Sequence, residues 1–597
     1  MPFWTNPFTQ NDRAEFLGVV VPLSQATRNV PTTVDAPAEK DAIQSQDSSS
    51  PNEPKDENHD KLDRVGSEEV GAASNPEFSH LTIESLRAEV ETGLASSGND
   101  STYDRKATVI NLAIQDIGMG RYQWQLFILC GFGWFADNLW LQGIALTLNQ
   151  VSQEFGVSSN HVRFTTASLF IGLCLGASMW GIASDVVGRR LAFNCTLLIC
   201  GVFGVCVGAA PTWIGLCGLS ASLGLGVGGN LPVDGALFLE FLPTASTNML
   251  TLLSIWWPLG QLVSSLIAWG FIPNYSCTPG LPACSAVGAG EDCCRKEDNM
   301  GWRYLCYTMG ALTMLMWACR FFLFHLYESP KFLLSRGRQE EAVQTVHAIA
   351  FKNKAHTWLT VDILNEIGGH PDVVGKPTLT TVEIIKRTLS KFSGERIGPL
   401  FANKRLGITT ALLWFCWATI GMGYPLFNAF LPQYLAHSGS GGETPVNITY
   451  RNYAITSIVG VPGSLLGCYT VNVKFIGRKG TMAISTLITG IILFCFTVTK
   501  DSNSQLTCTC LEAFFQNIMY GVLYAYTPEV FPAPNRGTGT GVSSFFNRLC
   551  GVMAPIVAIY ASTSNANAPI YASGGLMLAA FVAMVLLPIE TRGKQTL

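Results

Sequence analysis

The sequence predicts an all-α membrane protein with about twelve membrane-spanning helices in two six-helix bundles. Three observations predict it. Of 597 residues, only 13% are charged and 48% are hydrophobic, and the mean hydropathy is +0.28. An ordinary soluble domain carries roughly 25% charged residues. The apolar residues gather in runs of ~20, the length that crosses a bilayer as a helix. A polar stretch of about 80 residues divides these runs six and six.

Residues 1–107 are rich in Ser, Asp, Glu, Asn and Pro and read as a disordered tail, with a short amphipathic helix near 81–94. Residues 108–118 read as a helix lying along the membrane leaflet. Spans one to six follow at 126–148, 162–184, 191–210, 213–238, 248–272 and 303–325, so the first bundle occupies 108–325. The polar loop 326–404 reads as short surface helices, one near 338–350. Spans seven to twelve lie at 406–431, 453–472, 481–499, 507–527, 538–561 and 569–588, within a second bundle and short tail over 405–597.

Lys and Arg set the orientation. They follow even-numbered spans: Arg189 and Arg190, Lys331, Arg336 and Arg338, Lys404 and Arg405, Lys474, Arg478 and Lys479, then Arg592 and Lys594. These loops and both termini are therefore expected on the cytoplasmic side, although Arg295 and Lys296 run against the rule. The sequons at Asn274 and Asn447 then fall in outer loops as glycosylation candidates, with chance occurrence as the alternative. Cys277, Cys284, Cys293 and Cys294 share the outer loop between spans five and six, where disulfides form readily; their pairing stays open.

Several functions are excluded. Net charge −4 gives no reason to expect nucleic-acid binding, and the eight histidines are scattered, which argues against a metal site. There is no nucleophile triad or phosphate loop, so the chain is not read as an enzyme, and no bound cofactor is expected. Gly224-Leu-Gly226-Val-Gly228-Gly229 matches a dinucleotide fingerprint, but it lies inside an apolar span rather than between a strand and a helix. Close helix packing explains it better. The expected partners are the lipid bilayer and a small solute, and the chain is read as a monomer. The membrane, whether plasma membrane or an internal one, is left open.

Gly181-Ile-Ala-Ser-Asp185-Val-Val-Gly188-Arg189-Arg190 follows span two. It resembles the signature of the major facilitator superfamily, with Val186 in place of the usual basic residue. The second copy keeps Gly477-Arg478-Lys479 but has Lys474 where the acid belongs, which implies a weaker latch. Tyr327-Glu328-Ser329-Pro330-Lys331 after span six resembles another element of the family. So do Pro588-Ile589-Glu590-Thr591-Arg592-Gly593-Lys594 after span twelve and Pro528-Glu529 with Arg536 between spans ten and eleven. The resemblance implies that these charged residues form inner-face salt bridges that hold one state closed.

Ile117-Gly118-Met119-Gly120-Arg121-Tyr122-Gln123-Trp124, followed by Gly133-Trp134-Phe135-Ala136-Asp137, is similar to the synaptic-vesicle-protein-2-related and nicotinate-transporter branch. Family members move small solutes, often organic ions, commonly with protons. Some vesicle members have no settled substrate.

Polar groups inside apolar runs mark the work. Asp137 is about eleven residues past Leu126, hence roughly 17 Å deep and near the midplane. A charge there costs several kcal/mol unless it faces a cavity. Asp137 is therefore a proton-coupling candidate; the alternative is a permanently protonated Asp bonded to a neighbouring helix. Trp134 and Trp140 flank it at three residues and share its face, to stack on a solute or simply to pack. In span four, Asn230 and Asp234 form an i, i+4 pair. Asp234 is a second proton candidate, with capping or pairing as its alternative.

Asn547-Arg548 in span eleven resembles an organic-anion transporter element, which implies an anionic substrate; the alternative is a salt bridge from Arg548 to Glu512 or Asp137. Glu512 and Gln516 in span ten, and Trp417, Tyr424 and Asn428 in span seven, complete the candidate binding set, with Pro425 interrupting span seven. The expected function is proton-coupled import of a small organic anion by alternating access. The alternatives are a proton-antiport exporter of a toxic metabolite and a non-transporting sensor or vesicle protein.

Overall fold

The computed structural model describes residues 15–26, 81–97, 102–243, 248–288, 291–369, 397–401, 403–436, 445–471, 473, 476–499, 501–531, 536–562, 565 and 567–591. Every predicted span is helical. In the first half the helices are Arg121–Phe155, Phe164–Val187, Arg189–Gly208, Trp213–Phe241, a fifth in two pieces (Asn248–Leu253 and Trp256–Phe271), and Gly301–Ala318 with a π-turn over Cys319–Leu323. In the second they are Lys404–Asn428 with a short extension Leu431–Ala436, then Val446–Thr470, Gly477–Val498, Ser502–Val530, Arg536–Ala561 and Ala568–Leu586.

Local chemistry sets the ends. The Thr212 side chain accepts from the Gly215 amide at the start of span four, and Asp501 accepts from Asn503 and Ser504 at the start of span ten. Gly156, at φ +66°, ends span one. Pro258 sits in the first turn after the break in span five, where an amide proton has no intrahelical partner. Span one is longer than hydropathy predicts because its polar end is tied down. Glu154 accepts from Arg303 at 2.6 Å and from the Trp302 indole at 2.8 Å.

Among the described residues, eight helices are by themselves long and apolar enough to cross a membrane. Spans one, five, eight and ten fall outside that group. Span five is broken, and spans one and ten carry the polar residues that face the centre of the molecule.

The two halves repeat one packing plan. Spans one and five, two and four, three and four, and three and six pack together; seven and eleven, eight and ten, nine and ten, and nine and twelve do the same. The halves meet where span two lies on span eleven and span five on span eight. The glycine run of span four serves this packing. Gly224 and Gly228 lie against the backbone of span two, and Gly226 against span three, so a Cβ at any of them would collide with main chain.

One end of the bundles carries a cap. Helices Ile83–Ser97 and Thr102–Ile117 pack on the central-loop helices Pro330–Ser335, Gln339–Asn353 and Val361–Gly368 around a core that includes Leu86, Ile110, Val346 and Trp358. The segment Glu15–Gln25 is strapped to it by two hydrogen bonds of 3.0 Å, Val21 N–H to Thr357 O and Thr357 N–H to Val19 O. This corrects two expectations. The described parts of 1–107 are folded against the central loop, and the helix over 108–118 buries its apolar face on protein. Its Val109, Ile110, Ala113 and Ile114 match the apolar faces of the loop helices, and these cover them in place of lipid. The rest of the tail lies outside the described residues.

At the opposite end, the loop between spans five and six is closed by disulfides Cys277–Cys294 and Cys284–Cys293, a pairing that spacing left open. Asn274 and Asn447 are exposed on that side and line one depression, where the Trp269 indole donates to Asn447 Oδ1 at 2.6 Å.

Candidate functional site

A cavity of about 80 Å³ lies between the halves, room for a handful of waters. It is narrow because the halves are closed on each other. Asp137 and Asn138 of span one and Gln261 of span five form its first-half wall; Tyr424 of span seven, Gln516 of span ten and Arg548 of span eleven form the facing wall. Glycines bring these walls into register. Gly260 of span five abuts the Phe135 carbonyl of span one, and Gly421 of span seven abuts Asn547 of span eleven. Pro425 does not end span seven, which continues to Asn428. It removes the hydrogen bond to the Gly421 carbonyl, on the cavity wall.

A polar seam crosses the cavity. Gln261 Nε2 donates to Asn138 Oδ1 at 3.0 Å and to the Tyr424 hydroxyl at 3.1 Å, joining the halves. Asp137 and Arg548 face each other electrostatically from opposite halves without forming an ion pair. Asp137 is 3% exposed and its Oδ1 has no hydrogen-bond partner; Arg548 is 9% exposed and its Nε has none. The site thus contains a carboxyl and a guanidinium, both largely desolvated and neither neutralised by a close partner among the described residues.

Towards the cap, aromatic rings close the cavity. Trp134 stacks on Trp257 at 4.7 Å, and Tyr524 meets Trp257 edge-on at 4.7 Å. On the disulfide side the halves are bolted together by groups that sequence reading missed. Arg163 of span two donates to Gln433 Oε1 at 2.9 Å, to the Ala558 carbonyl at 2.9 Å and to Ser562 at 3.0 Å, with its guanidinium 4.8 Å from the Phe430 ring. The Tyr450 hydroxyl donates to the Leu146 carbonyl at 2.7 Å. Arg163 sits at a span end, where a basic residue reads as an interface anchor, so no pattern marked it.

The remaining candidates divide. Trp140 is fully buried inside the first bundle, its indole donating to Thr313 at 3.1 Å and its ring on Gly204. It cannot share a face with Trp134, since six residues turn a helix by about 240°. Trp417 likewise turns inward, donating to Thr527 at 2.9 Å. Asn230 is buried with neither polar atom of its side chain hydrogen-bonded, and it does not line the cavity. Asp234 is ion-paired with Arg320 of span six at 2.7 Å, the pairing alternative left open above. Arg320 also donates to the Leu129 and Phe193 carbonyls at 2.9 and 3.0 Å. That arginine was missed; its signal is a basic residue in an apolar run. Asn428 and Glu512 lie behind the wall, linked to Gln516.

The gate residues form one device twice. Glu328 Oε1 accepts from the Arg189, Arg190 and Ser329 amides at 3.0, 3.3 and 3.1 Å, capping the start of span three. Burial pushes its carboxyl above the usual range, and these amides pull it back. Arg189 also pairs with Glu240 at 3.2 Å. Gly188, at φ +115°, makes the turn that a side chain would strain. In the second half Glu590 accepts from the Arg478 and Lys479 amides at 3.1 Å each, Gly477 sits at φ +62°, and Arg478 pairs with Glu529. The contacts described here for Glu328 and Glu590 lie within one half, so they bind helix ends inside a bundle. The salt bridges among the gate residues, Arg189 with Glu240 and Arg478 with Glu529, likewise lie within one half. Glu590 in the second copy thus takes the place that Glu328 has in the first. Gly181 faces open space; the side chains of Asp185 and Arg536, together with Lys474 and Arg592, lie outside the described residues.

The family model described as Major Facilitator Superfamily matches residues 126–472 and 453–597. A Ceriporiopsis subvermispora protein called MFS siderochrome iron transporter 1 is 44% identical over 83% of this chain and 93% of its own. Major facilitator-type transporter hxnZ of Emericella nidulans is 39% identical over 85% and 90%. Synaptic vesicle 2-related protein of Xenopus laevis is 26% identical over 81% of each chain. Among solved structures, a partially occluded inward open conformation of the xylose transporter XylE from E. coli superposes with TM-score 0.56 at 16% identity, covering 79% of this chain and 99% of that one; at that identity the likeness establishes the fold.

Proposed function

This chain belongs to the Major Facilitator Superfamily and is a multi-pass membrane transporter of a small solute, and on that premise we propose that it takes up a small organic anion together with protons. The observation that carries the reading is Arg548: a guanidinium on the cavity wall, 9% exposed, with no ion pair among the described residues. Leaving such a charge unpaired costs several kcal/mol. A carboxylate entering the cavity relieves that cost and can bind it bidentately.

Asp137 on the opposite wall supplies the coupling. Ionised, it offsets the field of Arg548 and competes with an anionic solute. Protonated, it leaves Arg548 to the solute. Each ligand therefore favours the binding of the other, as linkage requires, and that sign favours symport over exchange of a proton for the solute. The halves would rock around the cavity, with the cap on the cytoplasmic side.

The test is uptake by the purified chain in proteoliposomes under imposed pH gradients, with a panel of small carboxylates, neutral and cationic analogues, and a ferric chelate, prompted by the name of the 44% identical relative. Uphill accumulation of carboxylates down a proton gradient is expected. Flux confined to neutral or cationic solutes overturns the anion assignment. Accumulation against the proton gradient establishes the exporter instead.

A further inference from the structure

Glu512 is 1% exposed within span ten, and no mechanism above uses it. It lies one helical turn from Gln516, on the side away from the cap. Asn428, the last residue of the span-seven helix, donates through Nδ2 to Glu512 Oε1 and to Gln516 Oε1, each at 3.1 Å. Glu512 Oε2 has no hydrogen-bond partner among the described residues. The titratable groups that face it are the phenols Tyr424 of span seven, Tyr453 of span eight and Tyr520 of its own span. None carries positive charge, and no ionisable group of spans nine or eleven acts on it among the described residues. The salt bridge to Arg548 considered from sequence is not formed.

A carboxylate buried with one neutral donor and no counter-charge is several kcal/mol out of balance, so a side chain placed this way keeps its proton. The location makes that proton exchangeable. Asn428 stands where span seven stops before its extension Leu431–Ala436. Gln516, the other acceptor of the Asn428 amide, lines the central cavity. A movement that parts spans seven and ten at this point lets water reach Glu512.

We infer that Glu512 is a second proton-binding site, built into the second half as Asp137 is built into the first. The inference rests on the proton-coupled reading of the central cavity. The step is the ionisation of the glutamic acid: the O–H bond breaks, its electron pair stays on the carboxylate, and the proton passes to water. In the closed state the acid is whole. When the disulfide side opens, the carboxylate and a hydrated Asn428–Gln516 seam replace it.

The experiment is infrared difference spectroscopy of the full chain in lipid nanodiscs, titrated from mildly acid to mildly alkaline pH, with the proton as the only ligand. Two protonated-carboxyl bands are expected to vanish as pH rises. Glu512→Gln removes one and Asp137→Asn the other. Asn428→Ala strips the donor from the Glu512 anion and raises the proton affinity behind that band about tenfold, leaving the Asp137 band in place; this arm decides the matter if Glu512→Gln fails to fold. If both titrating bands survive Glu512→Gln, or if the Glu512 band persists at every pH, the inference is overturned. A spectrum in which Asp137→Asn changes nothing while Glu512→Gln removes a band overturns the Asp137 reading and leaves this one standing.

Discussion

Arg320 Nη2 lies 2.7 Å from Asp234 Oδ2, and both side chains are fully buried in the first bundle. Arg320 also ties spans one and three through the Leu129 and Phe193 carbonyls, so the pair acts as a strut across four helices. Removing one partner strands the other charge. Arg320→Leu should destabilise the fold by about 3–5 kcal/mol, and the double variant Asp234→Leu/Arg320→Leu should recover much of that loss. Thermal unfolding in nanodiscs checks both. If the double variant is as unstable as the single, the charges are not what sets the cost.

Asp137→Asn keeps the size of the side chain and removes its titration. Uphill accumulation under a pH gradient should disappear while solute exchange at equal pH continues. Counterflow and driven uptake, measured on the same proteoliposomes, separate the two. Undiminished uphill uptake would sink the assignment of Asp137.

Arg548→Ala should weaken binding of a carboxylate solute by about a hundredfold, the expected loss for a desolvated charge pair of 2–5 kcal/mol. Arg548→Lys should recover part of it, since an ammonium keeps the charge and loses the fork geometry. Competition between labelled and unlabelled solute gives the affinities. Equal affinity in wild type and Arg548→Ala would remove the anion assignment.

Arg163→Ala deletes three hydrogen bonds that join the halves on the disulfide side. The closed state should lose about 2–4 kcal/mol, shifting the population towards opening on that side. Distances between probes at the ends of spans two and eleven should broaden to longer values. An unchanged distribution would mean that Tyr450 and its neighbours suffice.

His347 in the cap bonds the Leu359 carbonyl through Nε2 at 2.7 Å. Burial lowers its imidazole below the ordinary value, against the pull of that carbonyl. The unfolded state therefore takes up a proton first as pH falls. The stability this histidine contributes is present above its unfolded value and is lost as pH drops towards the folded one. Amide exchange of Gln339–Asn353, corrected for intrinsic rate, should show protection falling from neutral to mildly acid pH, and His347→Gln should flatten that dependence.

The amino-acid sequence by itself determined the twelve spans and their six-plus-six division, and its resemblance to a known signature marked the two glycine–arginine turns. The spans and their division are written in local composition, because the bilayer selects on run length and on single charges within a run. What only the tertiary structure decided was which polar group meets which. Asp234 found Arg320, about two spans away in sequence, and became a strut; Asp137 and Arg548 met across the cavity without pairing. Trp140 and Trp417 turned into the bundles, while Arg163 turned out to join the halves. Facing direction depends on how each helix is rotated against its neighbours, and that rotation is set by close approaches such as Gly260 on Phe135 and Gly421 on Asn547. Hydropathy carries depth and no azimuth, so the pairing of buried charges is decided only when the helices pack.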